Sequence, residues 1–392
     1  MASASEIASI HIEQTLIPLM CTSNDLKKKI IFVFGALEMG GAERQALALA
    51  RHLKDCEAEV QIWAFHPGKM AAICADANIP TRVLKIGWGA SLLSKLLALR
   101  KFSRLVRAER ADLLLPFTLV PNVFCSFVKT VPCIWGQRDE GLESFSAKLE
   151  WIALRRANGF VANSIAGEKW LRIHYERAKV DVIPNGVSLK PVQRSRNEWR
   201  QANGIDPATT IFIMVANLSR HKDHATLLKA WSAALSEVGT GKVMLLLAGR
   251  RDDATAAIET LIDELGLNDT VRMLGPVDDI SGLLAASDVF VLSSRSEGLS
   301  NAVLEATLSG LPVLGTDIPG ISSALSAENH PYLAAAGDVT NLSRIICVMY
   351  SSPSLRKSVG DANRSIAEAD FSINEMCVRY TRTISAVLGK LH

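Results

Sequence analysis

The chain has 392 residues, 48% apolar and 21% charged, the balance of a folded globular protein and not of a disordered one. That length exceeds what one hydrophobic core usually serves, so two domains are expected. A formal net charge of +3 is too small to indicate a nucleic-acid partner.

The seven cysteines (Cys21, Cys56, Cys74, Cys125, Cys133, Cys347 and Cys377) are scattered and form no C-x-x-C. They read as reduced core thiols of a cytosolic protein, not as a disulfide framework or a zinc site. No apolar run reaches the ~18 residues that a transmembrane helix needs. Residues 1–26 lack a basic start followed by an apolar core, and they read as a loose leader.

From residue 27 the chain alternates. Ile30–Phe34 is a continuous apolar run, the pattern of a strand covered on both faces. Gly40 and Gly41 follow, and a helix from Ala42 to Leu53 begins at once. A strand, a glycine turn and a helix N-terminus together present free amides to an anion. The turn is not G-x-G-x-x-G, so the dinucleotide fingerprint is absent. Further strands read at Glu59–Phe65, Thr81–Ile86, Leu113–Phe117, Cys133–Gly136 and Gly159–Ala162. This βαβ rhythm predicts a doubly wound parallel sheet with ligands at the strand C-termini. Thr118, Asn122, Gln137, Arg138 and Asp139 lie just past such ends and are candidates for substrate contact by position alone.

The helix over 91–110 carries Lys95, Arg100, Lys101, Arg104, Arg107 and Arg110 against one Glu109. A basic amphipathic helix of this kind can lie on an anionic membrane surface, or can simply present a solvated basic face. The break at Pro184, Asn185 and Gly186 ends the first half near residue 188. A second alternation then runs through Thr210–Ala216, Val243–Ala248, Val271–Leu274, Val289–Leu292 and Val313–Gly315. A cleft between two such sheets is a natural substrate site.

The densest chemistry follows the fourth of these strands. Glu297 sits in a Ser/Gly turn, and Glu305 sits eight positions on, in a short helix from Asn301 to Ser309. Ser300 is the expected N-cap, and Gly310 with Pro312 is the expected stop. The amides of Gly298, Leu299, Ser300 and Asn301 would hold a phosphate. Helix rise puts Glu305 about 7 Å beyond Ser300, the reach from a diphosphate to the ribose of the same nucleotide. Lys222 and Arg220, after the first strand of this half, would put cations at the cleft mouth. Asn217 and Gly249 close neighbouring strands. Adjacent acidic pairs replace any D-x-D, and no metal motif is seen.

With these residues in view, the chain resembles the retaining glycosyltransferases of family 4. The matching pieces come in the family's order: GGAERQ, Asn163-Ser164, VIPNGV, VANLSRHKDH, LLLAGR and the block carrying E-x7-E. The resemblance covers roughly residues 30–320. It implies the GT-B fold: an acceptor-side Rossmann-like domain (27–188), a donor-side one (189–370), and a final helix (371–392) crossing back to the first. It implies that Glu305 binds the donor ribose and that Glu297 faces the transferred sugar. Gly298 to Asn301 and Lys222 would hold the diphosphate, and the Gly40–Gly41 loop would close over the donor. Two positions depart from the family: Asn217 stands where an arginine is common, and Thr118 is the nearest polar residue where a histidine is common.

The expected function is transfer of a sugar from a UDP- or GDP-sugar to a saccharide or lipid-linked acceptor, in polysaccharide or glycolipid assembly. No cofactor or metal is expected, and the expected place is the cytoplasm, at the inner membrane face. The alternatives are a non-catalytic nucleotide-sugar-binding partner of the same fold and a nucleotide-sugar epimerase.

Overall fold

The computed structural model describes residues 27–38, 40–89, 91–138 and 145–389. The expected leader and the acceptor candidate Asp139 lie outside the described residues.

The first half forms seven parallel strands: β1 (Lys29–Ala36), β2 (Glu59–His66), β3 (Thr81–Val83), β4 (Leu113–Pro116), β5 (Ile134–Gln137), β6 (Gly159–Ala162) and β7 (Val180–Val182). They order as β3-β2-β1-β4, joined through a Leu114–Cys133 bridge to β5-β6-β7. The all-apolar run in β1 has a direct cause. Ile30, Phe32 and Phe34 enter one core, while Ile31 and Val33 enter another on the opposite face. A strand covered on both sides has no wet face to reserve for polar residues.

The second half repeats the plan with β8 (Thr210–Val215), β9 (Val243–Ala248), β10 (Val271–Gly275), β11 (Val289–Leu292), β12 (Val313–Thr316) and β13 (Leu333–Ala334), in the order β10-β9-β8-β11-β12-β13. The sequence pattern does not announce β7 or β13. They are three and two residues long, too short for any periodicity to register.

The chain passes between the two units twice, side by side. Val187 donates its amide to the Phe371 carbonyl at 2.7 Å and forms a bridge with Ser372. The last helix, Ile373–Gly389, then returns to the first unit. There Met376, Tyr380, Ile384 and Val387 join the core under β1 and β4. Tyr380 stacks on Phe117, with ring centroids 6.4 Å apart.

Among the described residues no helix is long and apolar enough to cross a membrane. Cys74, Cys125, Cys133, Cys347 and Cys377 are free thiols.

Candidate active site

The C-terminal ends of the two sheets face each other, and the site is built where they meet. After β11 the chain turns through Ser293–Ser300 and enters the helix Asn301–Leu308. Glu305 is on the second turn of that helix, 7% exposed. Its carboxylate accepts from Arg44 Nη1 at 2.5 Å, and Arg44 belongs to the first helix (Gly41–Asp55) of the other domain. Burial pushes the Glu305 carboxyl above the ordinary carboxylate range, and the Arg44 charge opposes that rise.

Glu297 is paired as well. Its Oε1 accepts from Lys222 Nζ at 2.5 Å and from Ser294 Oγ at 2.6 Å. The Lys222 turn is bolted to the end of β11. Ser293 Oγ donates to the carbonyls of Lys222 and Asp223, and Arg295 Nε donates to Asp223 Oδ2 at 2.9 Å. Asp223 itself adopts a left-handed conformation (φ 51°), which Asp tolerates, and caps the next helix through Thr226. These contacts hold Lys222 against Glu297 without a ligand, so each of the two glutamates rests on a cation.

Arg220 does not join them. Its side chain is 83% exposed, and its Nε lies 3.6 Å from Asp253 Oδ2. Ser300 is corrected on two counts. Its hydroxyl makes no cap, and its amide donates to the Gly320 carbonyl at 3.1 Å. The amide set open to an anion is therefore smaller than the run from Gly298 to Asn301. Gly310 does end the helix, in a left-handed conformation at φ 75°.

The glycines are explained by neighbouring backbone and side chains. A Cβ on Gly298 would run into the Arg138 carbonyl of the first domain, and one on Gly249 into the Ala216 carbonyl just before Asn217. A Cβ on Gly41 would strike Asn301 Nδ2. The Glu43 carboxylate lies against the helix start, with Oε2 2.6 Å from where a Cβ on Gly40 would stand. Burial raises the Glu43 carboxyl pKa.

Of the acceptor candidates, Asn122 is 1% exposed and clamps Gly136 through both its amide nitrogen (2.8 Å) and oxygen (2.9 Å). It is committed to holding β5 and faces no acceptor. Arg138 stacks over Phe117 and donates to Asn185 Oδ1 (2.7 Å) and the Tyr380 hydroxyl (3.0 Å). Its Nε and Asn163 Oδ1 are buried without partners among the described residues. Thr118 is half-buried at the end of β4, with Oγ1 3.7 Å from where a Cβ on Gly35 would stand.

Sequence reasoning passes over Arg44, Gln45, Ser294 and Asn185. The first two stand in the quoted GGAERQ, three and four positions after Gly41, where helical spacing turns them to the side that Gly41 presents to the other domain.

Two family profiles match the chain: "Glycosyltransferase Family 4" over residues 39–190 and "Glycosyl transferases group 1" over residues 195–366. Among curated proteins, the N-acetyl-alpha-D-glucosaminyl L-malate synthase of Bacillus anthracis is 26% identical over 188 residues, 48% of each chain. The putative glycosyltransferase EpsF of Bacillus subtilis is 36% identical over 145 residues, 36% of this chain and 37% of EpsF. The chain thus spans about half the length, or less, of the curated relatives it matches. Among solved structures, Anabaena HepE in complex with UDP and glucose superposes with a TM-score of 0.79 at 23% identity, covering 91% of this chain and 99% of HepE. WaaG, a glycosyltransferase of lipopolysaccharide biosynthesis, gives 0.72 at 17% identity, covering 90% of this chain and 98% of WaaG. At such identities the superpositions speak for the fold, and the profiles speak for the family. The chain belongs to the group 1, family 4 glycosyltransferases and has their GT-B fold.

Proposed function

We propose that the chain is a retaining glycosyltransferase that takes its sugar from a nucleoside-diphosphate sugar, UDP- or GDP-linked, and passes it to a saccharide or lipid-linked acceptor. The observation that carries this reading is the pairing of Glu305 with Arg44 and of Glu297 with Lys222 across one helix start, where the sheet ends of both domains meet. In this scheme Glu305 binds the ribose. Glu297 keeps an oxygen with no partner among the described residues and offers it to a sugar hydroxyl. Lys222 and the amides at the start of the Asn301–Leu308 helix take up negative charge as it develops on the leaving diphosphate. That pairing also answers why a carboxylate can sit beside phosphates: Lys222 neutralises it. The scheme calls on no metal. The relatives favour such a donor, since HepE binds UDP-glucose and an Escherichia coli relative is a UDP-Gal-dependent galactosyltransferase.

The test is a thermal-shift and hydrolysis screen against UDP-, GDP- and ADP-sugars, followed by Glu305→Ala. Losing a charged hydrogen bond costs about 1.5–3 kcal/mol, so nucleotide should bind about 10- to 150-fold more weakly. Wild-type affinity in Glu305→Ala would reject the donor assignment. Transfer or slow hydrolysis of any nucleotide sugar would exclude the non-catalytic partner.

The proposed setting is the cytoplasmic face of an anionic membrane, reached through the helix Leu92–Glu109. Leu93 (68% exposed), Leu97 (57%), Arg100, Arg104 and Arg107 form one stripe at spacings of three and four, while Leu99, Phe102 and Val106 pack inward. Equal flotation of wild type and an Arg→Gln version of that stripe with anionic vesicles would reject the contact.

A further inference from the structure

The helix that would receive the diphosphate begins without a side-chain cap. Its orientation is set by two buried amides from outside the donor domain. Asn185, in the connection between domains, is 4% exposed. Its Nδ2 donates to the Leu299 carbonyl (3.0 Å) and to Asn301 Oδ1 (2.9 Å), gripping the chain on both sides of Ser300. Its Oδ1 accepts from Arg138 Nη1 at 2.7 Å. Gln45, on the first helix of the other domain, is 6% exposed. It exchanges two hydrogen bonds with the Gly186 backbone, at 2.8 and 3.0 Å, and its Nε2 also donates to Asn301 Oδ1 at 3.1 Å.

Each amide nitrogen therefore uses both its hydrogens, and each oxygen holds a donor, which fixes both orientations. Turning Asn185 over would set its NH2 against a guanidinium and its oxygen against a carbonyl. Asn301 Oδ1 is the junction of all three parts: first-domain helix, connection and donor helix. The close approach is enforced from the other side by Gly41, which has no room for a Cβ beneath Asn301 Nδ2. Buried amides wired in this way hold their neighbours to one geometry, and that geometry exists only when the two domains are together.

We propose that Asn185 and Gln45 are positioning residues for the donor diphosphate: they hold the start of the Asn301–Leu308 helix so that its free amides meet the diphosphate only in the closed arrangement. The inference rests on the nucleotide-sugar reading above. It adds that the donor domain alone has a poorly aimed diphosphate seat, and that domain closure is read through Asn301 Oδ1. Neither residue touches the nucleotide. They act through Asn301 and Leu299.

The distinguishing readout compares a nucleoside diphosphate with its own nucleoside, each titrated against the full chain. Gln45→Met keeps the side-chain length and removes all three hydrogen bonds. It should weaken UDP or GDP about tenfold while leaving uridine or guanosine within about twofold, and it should raise KM for the nucleotide sugar by a similar factor. Glu305→Ala should instead weaken nucleoside and diphosphate together. Gln45→Glu, which restores only the oxygen that accepts from Gly186, should not recover the diphosphate affinity. Should Gln45→Met not fold, Asn185→Ser carries the same comparison. Equal weakening of nucleoside and diphosphate, or no change in either, overturns the positioning role while the donor site stands. Failure of wild type to bind any nucleotide of the panel overturns the donor-site reading and this inference with it.

Discussion

The Arg44–Glu305 pair is a charge contact between the two domains, and its worth can be measured. The atoms are 2.5 Å apart, Glu305 is nearly buried (side chain 9% exposed) and Arg44 is 46% exposed. Unit charges about 4 Å apart at an effective dielectric of about 20 attract by about 4 kcal/mol. The half-exposed guanidinium is screened, which pulls the value toward the ~1 kcal/mol of surface pairs, while the buried carboxylate holds it above that. We expect a coupling of about 1–2 kcal/mol. The assay is a double-mutant cycle of Arg44→Met, Glu305→Gln and the double variant, read on the first urea transition at neutral pH and low salt. The coupling should shrink in 0.5 M salt. It should also collapse when saturating nucleotide is added if, as proposed, a ribose takes Glu305 from the arginine. A coupling within the additivity error of about 0.3–0.5 kcal/mol would refute the electrostatic reasoning. A coupling that survives saturating nucleotide would refute the displacement.

His224 is 2% exposed, neither ring nitrogen has a partner among the described residues, and burial together with the Lys222 charge depresses its pKa to about 4. Between pH 6.5 and about 4 the unfolded chain takes up a proton there that the folded chain refuses. Stability from this group is therefore complete above pH 6.5 and falls with pH by about 3 kcal/mol across that window. Urea unfolding of wild type and His224→Leu at pH 7 and pH 4.5 should show a smaller acid loss in the variant, and equal losses would rule the assignment out. Gly298→Ala is expected to hold the domains apart, because its Cβ meets the Arg138 backbone carbonyl and not a flexible side-chain end. Small-angle scattering should give a larger radius of gyration, and an unchanged radius with unchanged nucleotide affinity would contradict the contact.

Much of the fold is legible because its signals are local. The apolar runs that become β1, β2, β8, β9 and β11 are long and uninterrupted, and the turn ending at Gly310 needs a left-handed residue. The two glutamates are legible because strand, turn and helix follow one another within a short stretch. What the sequence withholds is non-local. Arg220 and Lys222 are two positions apart and chemically alike, yet packing of the Lys222 turn on Ser293 and Arg295 sends one inward and the other to Asp253. Asn122 reads as an exposed loop amide until β5 is placed beside it, and then both its polar ends are spent on Gly136. Arg44 and Gln45 look like surface residues of an amphipathic helix. Only the approach of a helix some 260 residues later gives them partners, and no window along the chain contains both sides.

The returning helix Ile373–Gly389 bears on the order in which this protein can be made. A ribosome delivers β1 to β7 first, but the core beneath β1 and β4 includes Met376, Tyr380, Ile384 and Val387. The first domain therefore keeps that apolar surface uncovered until residues 376–387 emerge, while the core of the second sheet draws on residues up to Phe371. The core under β1 is thus assembled from segments more than 300 residues apart, with the second sheet synthesised in between.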